Sequence, residues 1–241
     1  QLVNGLILGS IYALIALGYT LVYGILGLIN FAHGEVVMIG AMVTISCLGL
    51  LLGLNMDISP FVLIAGSLLM AVPVCALLGA GIERLAYRPL RNAPRLAPLI
   101  TAIGVSIVLQ NVAMMIWGRQ YIPFPDILPH EPIHLGSVTF LPVQGVIVGL
   151  SGVLMVGLLL LVHHTRLGRA MRATAQAPSV ARLMGVSADR VIASTFVIGS
   201  VLAAVAGVMV TANYGQAHAY MGFMLGLKAF SAAVLGGIGN L

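Results

Sequence analysis

Charge is what this sequence has least of. Of its 241 residues only 7% are charged, six of them acids and eleven basic. A soluble domain carries about a quarter of its residues charged, so the solvent of this chain is lipid. Cysteine is scarce as well. Cys47 and Cys75 both lie in apolar stretches, where they read as small buried hydrophobes and not as a disulfide. No G-x-x-x-x-G-K-[ST] phosphate loop is present, so the chain does not hydrolyse ATP itself. No G-x-S-x-G elbow offers a hydrolase nucleophile. No cleavable signal peptide is visible, because the first apolar segment is long enough to span and has no basic flank before it. Acids are also missing from the apolar runs: Asp57, Glu83, Asp126, Glu131 and Asp189 fall at span ends or in loops, leaving Glu35 as the one acid at depth. A proton- or sodium-coupled carrier needs acidic groups along its route. The chain is therefore either a passive pore or one subunit of a machine powered from outside.

What is present is hydrophobicity, 60% of residues with a mean hydropathy of +1.11. The apolar runs are continuous and do not alternate, which predicts helices and excludes a membrane barrel. At about 20 residues per span, the expectation is an all-α polytopic bundle of about seven spans with broken helices, forming a single domain over residues 1–241. Spans are predicted near 2–25, from the break to 54, 60–82, 96–117, 143–162 and 191–212, with a further apolar stretch after 218. Asn55 to Pro60 reads as a turn, with Pro60 opening the next helix. The chain begins on Gln1 and stops at Leu241 inside an apolar stretch, which gives the expectation of a chain trimmed at both ends.

The arginines are concentrated in two segments. Residues 83–95 hold Arg84, Arg88, Arg91 and Arg95 against Glu83, and residues 163–190 hold Arg166, Arg169, Arg172, Arg182 and Arg190 against Asp189. Basic segments beside spans belong in the cytoplasm, so the proline-rich loop at 118–142 belongs outside. Counting back puts the break at 24–34 on the cytoplasmic side. The net charge of +5 is thus a topology signal with at most contacts to anionic lipid, and nucleic acid is not an expected partner. Small residues four apart, at Gly5/Gly9, Gly145/Gly149, Gly199/Ala203/Gly207 and Gly222/Gly226, predict close helix packing.

Several polar groups stand out. Asn30, His33 and Glu35 interrupt the first apolar region; Asn30 and His33 could cap a broken helix with Glu35 in an exposed first turn, or the three could border a pathway. Both roles stay open. Gln110 and Asn111 suit bonding across helices, or lining a polar route. Lys228, alone in the last apolar segment, suits snorkelling or a pathway role. Trp117 and Tyr121 occupy interfacial positions. His130-Glu131-Pro132-Ile133-His134 matches the zinc-protease string, but Pro132 would break the helix that such ligands need. An intramembrane zinc protease is accordingly the weakest reading, and no metal or cofactor is expected. Ala177 to Val186, with proline near its start and glycine at its end, predicts a short helix that rests on the membrane or docks in a partner's groove.

Three blocks then carry a resemblance. They are Asn4-Gly5-Leu6-Ile7-Leu8-Gly9-Ser10-Ile11-Tyr12-Ala13-Leu14, Ile29-Asn30-Phe31-Ala32-His33-Gly34-Glu35, and the closing Ala232-Ala233-Val234-Leu235-Gly236-Gly237-Ile238-Gly239. With Glu83 to Arg91 and Gly168 to Ala173, they resemble the permease subunits of branched-chain amino acid ABC importers, the LivH type of the LivH/LivM family. The resemblance runs over nearly the whole chain. It implies a non-catalytic transport subunit in a bacterial or archaeal inner membrane. The implied partners are a homologous second permease, two ATP-binding cassette ATPases and an external solute-binding protein. It also implies that the 163–190 segment contacts the ATPase, with Arg172, Ala177, Ala181, Arg182, Leu183 and Gly185 as coupling candidates. Gln176-Ala177-Pro178 stands where other importers often show Glu-Ala-Ala. Family members usually continue beyond Gly-Gly-Ile-Gly, which adds to the expectation of a truncated carboxyl end. Branched-chain amino acids are the implied cargo; urea or short amides, or passage through a stand-alone channel, are the alternatives.

Overall fold

The computed structural model describes residues 1–54, 59–91, 93–94, 96–129, 131–135 and 138–239. Residues 55–58 of the expected turn from Asn55 to Pro60, with Asp57, lie outside the described residues, as do Arg95 and His130.

In chain order the helices are α1 (Leu2–Leu26), α2 (His33–Gly53), α3 (Pro60–Ile82), α4 (Leu96–Trp117), α5 (Pro142–His164), α6 (Arg166–Gln176), α7 (Pro178–Leu183), α8 (Ala188–Tyr214) and α9 (Met221–Leu235). Helix α3 runs on through a π turn, Glu83–Tyr87, and a 3-10 turn, Arg88–Leu90. Among the described residues six helices are long and apolar enough to cross a membrane, and α9 is a shorter apolar helix of 15 residues. At 1.5 Å per residue α9 is about 22 Å long, less than a hydrocarbon core of about 30 Å. The chain is an all-α polytopic membrane protein.

Local chemistry sets the boundaries. Pro60 and Pro142 occupy first helical positions, where the missing N–H costs nothing. Gly27 (φ 63°) and Gly215 (φ 71°) close α1 and α8 in left-handed conformation, their N–H groups returning to Tyr23 and Thr211. Two features were not expected. The segment after α5 reads as a loop with one short helix, yet it holds α6, capped by Thr165 Oγ1 accepting from the Gly168 N–H at 3.0 Å. Short strands also form: β1 (Ile122–Pro123) pairs antiparallel with β4 (Gln216–Ala217), and β2 (Ile133–Leu135) with β3 (Val138–Phe140).

The centre is built from α1, α2, α8 and α9, with α3 packed on α2 and α8. Backbones approach closely there. A methyl on Gly40 would lie 2.8 Å from Ala204 Cα, and one on Gly207 would lie 2.8 Å from the Ala41 nitrogen. Helix α5 lies against α1, and α4 against α2, each with one face open. Cys47 and Cys75 are buried and free.

The ends of the bundle sort as the arginines predict. At one end Arg88 pairs with Asp189 at 2.8 Å, and Arg91 bridges Asp189 and buried Glu83, tying the end of α3 to the start of α8. The Tyr87 hydroxyl donates to the Ile29 carbonyl at 3.0 Å, so the break between α1 and α2 faces this same end. The β1–β4 pair joins the loop after α4 to the segment after α8 at the opposite end.

Candidate functional site

The break between α1 and α2 is shaped by backbone and by Asn30. Its Oδ1 accepts from the Ala32 N–H at 3.2 Å and lies 3.3 Å from the Tyr87 hydroxyl. The residue capping α2 is Ala32, which accepts from Glu35 and Val36 through its carbonyl, and no side chain caps the helix. The reading of Asn30 and His33 as helix caps is therefore corrected: the helix opens on a backbone turn that Asn30 braces one step earlier. Glu35 is corrected too. It sits in the first turn but is wholly buried, not exposed.

Glu35 Oε1 accepts from Ser106 Oγ at 3.0 Å and from Gln110 Nε2 at 2.7 Å, both on α4. The second oxygen, Oε2, is buried without a partner. Across from it stands Gly222 of α9, where a methyl would come within 2.5 Å of Oε2. Glycine at that position is what lets α9 approach the carboxyl group. Ser106 stands ten residues after Leu96 in the 22-residue α4, about 15 Å along a helix of about 33 Å. Glu35 is thus held near mid-depth, where an ionisable side chain in a membrane bundle is costly unless it serves a route or a pair. A cavity of about 350 Å³ opens beside these partners, lined by Ser106, Gln110, Tyr220, Phe223 and Met224.

His33 closes the other side of the break. Its ring packs edge-on to Tyr19, with centroids 4.9 Å apart, and occupies the space that a side chain on Gly18 would fill. Its Nε2 has no partner. Asn30, His33, Glu35 and Gln110 therefore converge on one region. Asn111 does not join them: its amide donates to Ile107 of its own helix at 2.8 Å on an exposed face.

The coupling candidates form a separate group. Arg172 Nη1 donates to the Val162 carbonyl at 3.0 Å and lies 3.1 Å from His163 Nδ1, fastening α6 to the end of α5. Ala177 is the joint between α6 and α7, and Ala181 is buried. Arg182 is exposed, and Leu183 and Met184 are 87% and 79% exposed, an apolar tip beside that arginine. Gly185 takes φ 82°, and Val186 N–H returns to the Ala181 carbonyl at 3.0 Å, ending the helix.

Partners not expected at this site are Tyr19, Tyr87 and Ser106, whereas Gly222 was expected to pack closely and does so against Glu35. Ser106 and Gln110 stand four apart on one helical face, a signal that was available. In the zinc-protease string, His130 lies outside the described residues, while Glu131 and Pro132 are irregular and Ile133–Leu135 is a strand. The helix that would align two histidine ligands does not form there. Among the described residues, no three His, Cys, Asp or Glu side chains gather.

Comparison with known proteins agrees with the geometry of a membrane bundle. A family model described as branched-chain amino acid transport system / permease component matches residues 1–241. The chain is 46% identical over 245 residues to the high-affinity branched-chain amino acid transport system permease protein LivH of Salmonella typhimurium, covering 100% of this chain and 79% of that protein. It is 45% identical to the corresponding permease protein BraD of Pseudomonas aeruginosa, covering 100% and 80%. A probable LivH of Methanocaldococcus jannaschii is 27% identical over 251 residues, covering 99% and 74%. No solved structure gives a significant match.

Proposed function

We propose a transport mechanism from one premise: the chain belongs to the branched-chain amino acid transport permease family. It is the permease subunit of an ATP-binding cassette importer in a bacterial or archaeal inner membrane. It works beside a second permease, two ATPases and an external binding protein, and it passes branched-chain amino acids inward. The observation that carries this reading is Glu35, buried at mid-depth and donated to by Ser106 and Gln110, which themselves line a cavity between α4 and α9. A buried carboxyl group whose partners line a cavity gives the bundle a polar point at which two helices can part and rejoin.

Force enters at α7. The exposed Leu183 and Met184 form an apolar knob for a groove on the ATPase. Arg172 passes displacement of α6 to α5 through its bonds to Val162 and His163, and α7 leads directly into α8 at the centre of the bundle. Gly185 lets the chain reverse between α7 and α8 in a conformation that a branched side chain resists.

The test is Gly185→Leu in the assembled importer. Leucine uptake should fall at least tenfold while the permease stays in the membrane, and ATP hydrolysis should no longer respond to loaded binding protein. Normal uptake with normal stimulation would refute coupling through this element. Uptake of urea but not leucine by the unaltered importer would overturn the assignment of cargo.

A further inference from the structure

Lys228 is the eighth of the 15 residues of α9, and it is exposed on a helix that is otherwise apolar. A lysine at the middle of a membrane-embedded helix does not rest against acyl chains; it faces water or a polar cavity. Side chains lean toward the amino-terminal end of their helix, and that end of α9 follows directly on β4. There a cavity of about 300 Å³ is lined by Lys228, Tyr12, Tyr121, Tyr214, Gln216 and His218. This volume is at the lower end of the range of about 300–1,000 Å³ found for small-ligand pockets. The β1–β4 pair borders it, on the side of the bundle opposite the arginines.

Its chemistry is that of a receptor for an anion. Tyr12 and Tyr214 line this cavity together with Lys228. His218 Nδ1 accepts from the Tyr220 N–H at 3.2 Å, which leaves the ring proton on Nε2 as a donor. Burial lowers the proton affinity of His218, which favours its neutral ring. No carboxylate lines the cavity, and no ion pair among the described residues includes Lys228. Val210, Met221, Met224 and Leu225 supply an apolar wall on the same space.

We infer that this cavity receives the imported amino acid from the outer side, with Lys228 and the tyrosine hydroxyls holding its α-carboxylate and the methionine-rich wall its aliphatic side chain. The inference rests on the importer reading given above. The experiment uses the complete importer in proteoliposomes, with binding protein and labelled leucine. Uptake by the unaltered complex decides the importer reading; no uptake would sink that reading and this site with it. Given uptake, Lys228→Met should raise the KM for leucine-loaded binding protein or cut sub-saturating uptake at least tenfold, with co-purification of all subunits and basal ATPase unchanged. Lys228→Arg should retain uptake within about threefold, and Tyr214→Phe should lose a smaller part. Equal uptake in Lys228→Met and the unaltered complex would overturn the site. So would loss of the second permease from the purified complex, which would mark Lys228 as an ion-pair partner between subunits.

Discussion

Gly207 of α8 and Gly149 of α5 occupy comparable places in small-residue pairs four apart, and their surroundings are opposite. A methyl on Gly207 would collide with the Val37 carbonyl and lie 2.8 Å from the Ala41 nitrogen; a methyl on Gly149 would meet nothing within 4 Å. The same contrast holds for the whole helices. In their most apolar windows 72% of α8 residues are buried but only 22% of those of α5. Both helices must be apolar, because lipid and protein interior are equally poor in water. Hydropathy therefore cannot tell a central helix from a rim helix. Steric room can: Gly34, Gly40, Gly207, Gly222 and Gly226 all have backbone atoms of a neighbouring helix within van der Waals reach, whereas Gly104, Gly149, Gly152 and Gly157 on the rim have none.

Charge divides in the same way, and here the largest effect is expected. Arg91 and Glu83 have side chains 15% and 5% exposed, while Arg88 and Asp189 are 49% and 45% exposed. Removing one member of a buried pair leaves the other charge without compensation, a loss of about 3–5 kcal/mol. Arg91→Ala should thus lower the thermal stability of the purified protein sharply, freeing the end of α3 from α8. Arg88→Ala, at a solvated pair, should cost at most about 1 kcal/mol. Equal losses would mean that the arginine end is held by its summed charge and not by one buried contact.

The glycine contrast can be tested next. Alanine is favoured over glycine within a helix by about 1 kcal/mol. At Gly207 that gain is overcome, because the atoms in the way are backbone of α2 and cannot rotate aside. Gly207→Ala should destabilise by about 1–3 kcal/mol. Gly149→Ala should fall within about 0.5 kcal/mol of the parent, or slightly above it. Similar thermal shifts for the two variants would abolish the distinction between centre and rim.

Much of this architecture was legible in the sequence because local chemistry fixes it. Helix α4 spans Leu96–Trp117 as expected, since Pro94 precedes it and Gly118, at φ 81°, stops it. The shared end of the two arginine segments followed from charge asymmetry alone. Helix α6 was missed because Arg166, Arg169 and Arg172 made it look like a solvated loop, although that spacing marks one polar helical face. The β1–β4 pair, two residues on each side and 93 positions apart, leaves no periodic trace. The site was half legible. Asn30, His33, Glu35 and Gln110 stood out as polar groups in apolar surroundings, but periodicity within a helix does not name the helix that it meets. That Glu35 would reach α4 is a tertiary fact, as is the Gly222 clearance that admits α9. The capping reading failed because Ala32 caps α2 through its carbonyl, with no side chain needed.

Gln110 and Asn111 bring the same comparison down to adjacent residues. Both are carboxamides in one turn of α4; one reaches into the bundle and the other turns back on its own helix. Gln110→Leu removes the closer donor to Glu35 Oε1 and leaves Ser106 as its one hydrogen-bond donor among the described residues, 3.0 Å away. A buried acceptor deprived of a donor costs about 1–3 kcal/mol, and leucine uptake should slow with it. Asn111→Leu gives up one exposed bond to Ile107 and should change stability by no more than about 0.5 kcal/mol. Measured side by side in detergent, a larger loss for Asn111→Leu would place the working face of α4 a third of a turn away, and Glu35 would no longer be the group that α4 serves.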